Sequence, residues 1–348
     1  MLSKKTNIFI TLLLCLSLLS SVGMLFFHEE AAANEILSSA PKAFSVNGAF
    51  NIDVLDETEG YISDHFALRQ LYARAWAKLN AVLFHTSVEE QVVLGKDGWL
   101  FFEKTLDDYR GIGLSDEELS QIAKKLSDMQ SELESQGKTF IFTIAPNKNS
   151  LYPQYMPKYI QNDAESSNAA RLKAFLDAEG VRYVDLFEAF RSQSEPLYYA
   201  TDSHWTDRGA ALAADRLLSA AGIRGDFFTE QFAAGERHLG DLYDMLYPGS
   251  KANEDSSVIA EGFSFENLNE PKGGNAITIR TEQAAAEGKL FCWRDSFGIS
   301  LYPYLAESFG EAVFSRATDY DLTSADVQSS DVVILEIVER NIPRLLSD

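Results

Sequence analysis

The stretch SDEELSQIAKKLSDMQSELESQGKTFIFTIAP, Ser115 to Pro146, decides how the rest of the chain is read. Ser115 and Glu118 have the spacing of a capping box, in which each side chain satisfies a helix-start N–H group of the other residue. Leu119, Ile122, Ala123, Leu126, Met129 and Leu133 then recur at intervals of three and four residues. That spacing predicts a helix with one apolar face, ended by Gly137. TFIFTIAP, Thr139 to Pro146, follows at once and is apolar without alternation, as a strand covered on both faces must be. A helix feeding directly into such a strand is half of a parallel α/β unit.

The pairing recurs downstream. Asn168 to Ala178 predicts a helix stopped by Gly180, and VRYVDLF, Val181 to Phe187, a strand. A helix over Asp207 to Ala221, the strand KLFCW at Lys289 to Trp293, a helix near Ile299 to Phe309 and the strand DVVILEIVE at Asp331 to Glu339 continue the alternation. Repeated units of this kind imply an α/β domain with a mostly parallel sheet between two helical layers. Ahead of it, VVLGKDGWLFF, Val92 to Phe102, reads as a hairpin turning at Gly95 to Gly98. Ile62 to Leu83 reads as one helix, and the weakly periodic segment from about 228 to 286 as an insertion or long loop system.

Ile8 to Phe27 is uncharged and apolar, long enough at about 1.5 Å per residue to cross a hydrocarbon core of roughly 30 Å. Lys4 and Lys5 precede it and Glu29 and Glu30 follow, which places the remainder outside the cytoplasm. Ala31 to Ala33 offer a cleavage site, so the run is a transmembrane signal anchor or a cleaved signal peptide. The expected division is a signal segment over 1–30, a linker and helical region over 31–90, and the main domain over 91–348. With 348 residues, 46% of them hydrophobic, the chain supports a sizeable core. A formal charge of -22 without a basic stripe excludes nucleic acid as a partner. Cys15 lies in the apolar run, so it and Cys292, the only other cysteine, form no disulfide in the exported part.

In an open α/β sheet the reacting groups lie beyond the carboxyl ends of the strands. That rule selects APNKN at Ala145 to Asn149, TDSHWT at Thr201 to Thr206, and WRDSFG at Trp293 to Gly298. Asp202 and His204 supply a carboxylate and an imidazole on one short loop, and Ser296 a hydroxyl at a strand-to-helix turn. A serine attacks a carbonyl when an imidazole takes its proton and a carboxylate orients that imidazole, and helix-start N–H groups receive the oxyanion. The plainer alternative is that Asp and Ser at such turns only cap helices, as Thr206 is placed to do for the helix after it. A metal site would use Asp202, His204, His238 and Asp241, without a dense ligand motif such as HExxH; no metal is expected. Neither GxGxxG nor GxxxxGKS occurs, so no nucleotide cofactor is expected.

The boxes VVLGKDGWLFF, APNKNSLYP, DSHWTDRGA and WRDSFG together resemble the exported DHHW-type proteins and the related alginate O-acetylation proteins, over about Tyr61 to the C-terminus. The resemblance implies a flavodoxin-like, SGNH-hydrolase-like domain with permuted motif order. It also implies a triad of Asp202, His204 and Ser296, the set the residues themselves select. It implies O-acetyl transfer to an exopolysaccharide or cell-wall glycan, with a membrane-bound O-acyltransferase as the donor partner. Here the name box reads DSHW, with Ser203 between the Asp and the His. Asn147, Lys148, Arg294 and Trp205 are candidates for oxyanion or substrate contacts. Two other outcomes stay open: a carbohydrate acetylesterase, and a non-catalytic glycan-binding protein of an export complex using Trp99, Phe101, Phe102, Tyr198, Tyr199 and Trp205.

Overall fold

The computed structural model describes residues 4–23, 37–44, 49–269 and 277–347. They form two compact units, Met1–Val92 with Asp241–Lys251, and Val93–Gly240 with Ala252–Asp348. The first unit contains α1 (Lys4–Gly23), α2 (Val54–His65), α3 (Arg69–Phe84) and, later in the chain, α10 (Asp241–Leu246). The single helix expected over Ile62 to Leu83 is two, because Phe66 turns extended and Leu68 takes a left-handed φ of 66°. The expected membrane-spanning helix is not supported: among the described residues no helix is long and apolar enough to cross a membrane. Met24 to Phe27, Glu29, Glu30 and Ala31 to Ala33 lie outside the described residues.

The second unit begins with β1 (Val92–Leu94) and β2 (Leu100–Phe102), the expected hairpin. Asp97 and Gly98 both take positive φ, 55° and 81°, at the centre of its turn, and Trp99 N–H donates to the Lys96 carbonyl at 3.0 Å. Asp-Gly is the pair that tolerates this hairpin geometry. Then come α4 (Leu106–Tyr109), α5 (Asp116–Ser135), β3 (Thr139–Ala145), α6 (Lys148–Leu151), α7 (Asn168–Glu179), β4 (Tyr183–Val184), α8 (Leu186–Arg191) and α9 (Asp207–Ala220). The chain ends with β5 (Phe232–Ala234), β6 (Ser257–Ile259), β7 (Glu266–Asn267), β8 (Thr278–Glu282), β9 (Lys289–Trp293), α11 (Gly298–Ala306), β10 (Glu311–Ser315), α12 (Ala325–Ser329) and β11 (Val332–Val338).

Among the described residues, seven strands make the main sheet in the order β4-β3-β11-β9-β10-β8-β7. β4, β3, β11, β9 and β10 run parallel, while β8 is antiparallel to both β10 and β7, so the sheet is mixed. The expected strand over Val181 to Phe187 shrinks to β4 because Asp185 accepts the N–H groups of Phe187 and Glu188 and starts α8. The segment read as one loop system carries β5, α10, β6, β7 and β8 instead.

β3 and β11 interleave the two cores, as the period of two requires. Phe140, Phe142, Ile144, Val333, Leu335 and Ile337 join the core that holds Leu119, Ile122, Leu126, Met129 and Leu133 of α5 and Leu172 and Leu176 of α7. Ile141, Ile334 and Cys292 join the opposite core with α9 and α11. The predicted capping box of α5 is present, Glu118 N–H to Ser115 Oγ at 3.3 Å and Ser115 N–H to Glu118 Oε2 at 2.8 Å. The result is an α/β sandwich whose three sequence-selected loops leave the carboxyl ends of β3 and β9 and the start of α9.

Candidate active site

The loop from Leu197 to Thr206 closes on itself. Thr206 N–H donates to the Leu197 carbonyl at 2.8 Å, and Tyr198 and Trp205 form an isolated antiparallel bridge. Thr206 caps α9 by accepting from Gly209 N–H at 3.2 Å, the predicted role. Two outside groups pin the turn. Lys148, buried at the end of β3, donates from Nζ to the carbonyls of Tyr199, Ala200 and Asp202 at 3.1, 2.9 and 2.6 Å. An ammonium has three donors, so Lys148 is a clamp on this loop and not the oxyanion donor suggested by its sequence position. Glu254 accepts the N–H groups of Ala200 and Thr201, each at 2.8 Å.

The turn after β9 is pinned as firmly. Arg294 N–H donates to the Ser315 carbonyl at 2.8 Å. Asp295 Oδ2 accepts Val338 N–H at 2.6 Å and its Oδ1 accepts Phe297 N–H at 2.9 Å. Asp295 is thus the turn-stapling residue of its box, and it takes the Phe297 N–H just ahead of α11. Ser296 is left partly exposed at the head of α11.

These two loops meet at the predicted residues. His204 Nδ1 is 2.8 Å from Asp202 Oδ1, and His204 Nε2 is 2.9 Å from Ser296 Oγ. His204 N–H also donates to Asp202 Oδ1 at 2.8 Å. Ser203 Oγ, which the sequence left without a role, is 3.2 Å from His204 Nδ1. Burial pushes the Asp202 carboxyl up, but hydrogen bonds and charge from His204 and His238 outweigh it and hold the group well below the usual carboxylate range. An ionised Asp202 keeps the His204 proton on Nδ1, which leaves Nε2 to accept the Ser296 proton. The set can therefore generate a serine nucleophile and hand its proton on.

Trp205 does not face a ligand. It is 1% exposed, its Nε1–H donates to Ser300 Oγ of α11 at 2.7 Å, and its ring meets Phe297 edge to face at 4.9 Å. The aromatic after the histidine thus docks against the aromatic after the serine, which sets the spacing between His204 and Ser296. Trp99, Phe101, Tyr198 and Tyr199 are buried too, so the stacking platform imagined for sugars is mostly core. Asn147 lines a small pocket with Phe102, Ser203 and Arg340. Arg294 is turned away: its Nη1 donates to the Asp295 carbonyl at 2.9 Å, and it lines another pocket, with Arg316, Thr318 and Arg344, that none of the three relay residues touches.

Sequence reasoning placed His238 only in a metal reading. The structure turns its Nε2 onto Asp202 Oδ2 at 2.7 Å, while Asp241 belongs to the other compact unit. The buried carboxyls Glu336 and Glu339 and the half-buried Glu254 were missed, since nothing in a single sequence separates them from the surface glutamates around them.

Residues 92–256 match the family described as SGNH hydrolase-like domain, acetyltransferase AlgX. That span includes Asp202 and His204 and stops short of Ser296, so geometry alone adds the serine. Among curated proteins, the probable alginate O-acetylase AlgJ of Pseudomonas syringae is 27% identical over 196 residues, covering 54% of this chain and 49% of its own length. The Pseudomonas aeruginosa protein of the same name is also 27% identical, with the same coverage. The chain spans about half the length of these relatives. Among solved structures, Bacillus cereus PatB1 superposes with a TM-score of 0.57 at 20% identity, over 71% of this chain and 95% of that one. A DHHW family protein from Eubacterium siraeum gives 0.53 at 16% identity, over 73% and 97%. The O-acetyltransferase domain of Pseudomonas putida AlgJ gives 0.50 at 20% identity, over 72% and 92%. The resemblance carried by the four boxes is borne out, and the fold is an SGNH-like α/β fold with a mixed sheet.

Proposed function

We propose that this chain is an O-acetyltransferase that moves acetyl groups onto hydroxyls of a polysaccharide through an acetyl-Ser296 intermediate. The observation that carries the reading is the continuous hydrogen-bonded path from Asp202 through His204 to Ser296. The match to an SGNH hydrolase-like acetyltransferase domain and the relatives named as alginate O-acetylases support it.

Ser296 Oγ attacks the acetyl carbonyl while His204 Nε2 takes its proton, and Asp202 stabilises the imidazolium that forms. Collapse breaks the bond to the leaving group, which receives that proton. In the second half His204 removes a proton from a sugar hydroxyl, whose oxygen attacks the acetyl-serine carbonyl. Ser296 Oγ then leaves and takes the proton back. If water takes the place of the sugar, the same machinery is an acetylesterase.

The proposal extends to place and partner. Lys4 and Lys5 before the apolar run support an extracytoplasmic domain, with a membrane-bound O-acyltransferase supplying acetyl groups. An alkaline phosphatase fused to the C-terminus is active in cells on this reading and inactive if the domain stays inside. The decisive assay is turnover of a chromogenic acetyl ester, with and without an oligosaccharide acceptor, by wild type and a folded Ser296→Ala variant. Wild type turns over, and the variant loses several orders of magnitude in rate. Equal turnover by both overturns the reading. Acetate release unaffected by any acceptor makes the protein an esterase.

A further inference from the structure

We infer that His238 is a positioning residue of this site, holding Asp202 from the side opposite His204 so that the relay has four members. The inference rests on the acyl-serine reading and adds to it a residue acting through Asp202.

The Asp202 carboxylate is divided between two histidines. Oδ1 accepts from His204 N–H and Nδ1–H, both at 2.8 Å, while Oδ2 lies 2.7 Å from His238 Nε2. Asp202 is 4% exposed, and an ionised carboxylate so deep needs donors on both of its oxygens. His238 supplies one for the oxygen that His204 does not use.

His238 is itself held by ring and by backbone. Its ring stacks on Tyr199 with centroids 4.1 Å apart and planes 18° apart. Its N–H donates to the Glu254 carbonyl at 2.8 Å, and its carbonyl accepts Asn253 N–H at 2.9 Å. The Glu254 carboxylate in turn binds the backbone of Ala200 and Thr201, immediately before Asp202. The segment carrying His238 and the loop carrying Asp202 are therefore tied together at Glu254, at the Tyr199 ring and at Oδ2.

A donor fixed at Oδ2 stops the carboxylate from rotating about Cβ–Cγ. Oδ1 then stays on His204 Nδ1, and His204 Nε2 stays aimed at Ser296. Without that donor the carboxylate turns toward water, and His204 spends part of its time in the wrong tautomer or orientation. The loss falls on kcat. KM for a small acetyl donor should not follow, because His238 acts through Asp202 Oδ2.

Two substitutions in the full chain separate this role from packing. His238→Phe keeps a ring to stack on Tyr199 and removes the N–H. His238→Gln removes the ring and places an amide N–H where Nε2 was. The readouts are kcat and KM for a chromogenic acetyl ester, melting temperature, and the low-field proton resonance of His204 Nδ1–H. His238→Phe should lower kcat about ten- to a hundred-fold, the range expected for one hydrogen bond to a charged group, with KM little changed and the resonance displaced. His238→Gln should recover most of kcat. Wild-type kcat and an unmoved resonance in His238→Phe overturn the inference. So does a Gln variant as impaired as the Phe variant with a matching loss of melting temperature. If His238→Phe does not fold, His238→Asn, whose amide is too short to reach Oδ2, takes its place with the same expectation and the same contrary result. If wild type turns over no ester, the acyl-serine reading fails, and the resonance alone still decides whether His238 governs the Asp202–His204 bond.

Discussion

At Asp202, burial and hydrogen bonding act in opposite directions, and the hydrogen bonds win. The carboxylate is therefore held ionised below the usual carboxylate range, as its service to His204 requires. Asp202→Asn leaves the shape intact and removes the charge, so kcat for an acetyl ester should fall by about four orders of magnitude with the melting temperature little changed. A near-normal kcat in a folded Asp202→Asn protein would return Asp202 to turn punctuation. Ser296 was legible in the sequence because it falls at the strand-to-helix turn after β9, and Asp202 and His204 because a carboxylate and a rare histidine share the short loop before α9. The clamps were not: Lys148 looked like an oxyanion donor because it follows β3, and only the folded loop shows three carbonyls converging on its ammonium. Trp205 looked like a sugar platform, and only packing shows it facing Phe297.

At the scale of elements, α11 begins against the turn that presents Ser296. A Cβ on Gly298 would lie 2.5 Å from both Cβ and Cδ of Arg294, so the glycine is required by close approach within WRDSFG. Gly298→Ala should shift the Ser296 turn and lower kcat by more than an order of magnitude, read against a Gly137→Ala control. The control is strained at its φ of 80° but meets no neighbouring atom within 4 Å. Equal activity in the two variants contradicts the crowding argument. Ser115→Ala removes the cap of α5 and should cost about 1 kcal/mol in denaturant unfolding. α5, β3, β9 and β11 were legible because cap, stripe and apolar run agree with one another. The break between α2 and α3 was hidden, since neither Pro nor Gly marks Phe66 to Leu68. The antiparallel β7 and β8 were hidden in a segment with too little apolar patterning to separate short strands from loop.

Across the whole molecule, the carboxyl edge of the sheet holds buried acids that the chain's -22 charge does not reveal. Glu339 follows β11, is 0% exposed, and accepts Asn147 N–H at 2.7 Å, joining the ends of β3 and β11. Burial first, and the nearby Asp108 charge second, push its carboxyl up to about 8. The folded chain thus holds this proton more tightly than the unfolded chain, whose glutamates titrate near about 4.3. The contribution to stability is full below that value and is lost as pH rises through about 8. The melting temperature of wild type should fall from about pH 5 to about pH 9, and Glu339→Gln, which copies the neutral form, should flatten that fall. A profile of equal slope in both proteins contradicts the assignment. The same net charge acts on acceptors at long range: an acidic oligosaccharide should show a KM that falls as salt rises, and a neutral one a KM that does not.

The most direct test of the account is to catch the enzyme between its two half-reactions. Wild type is mixed with an acetyl donor, quenched in acid, and read by intact mass and peptide mapping, with and without an oligosaccharide acceptor. The account predicts one acetyl group on Ser296 that accumulates without acceptor and is discharged when acceptor is added. Product formation with Ser296 never acetylated, or an acetyl group carried on another residue, would contradict it.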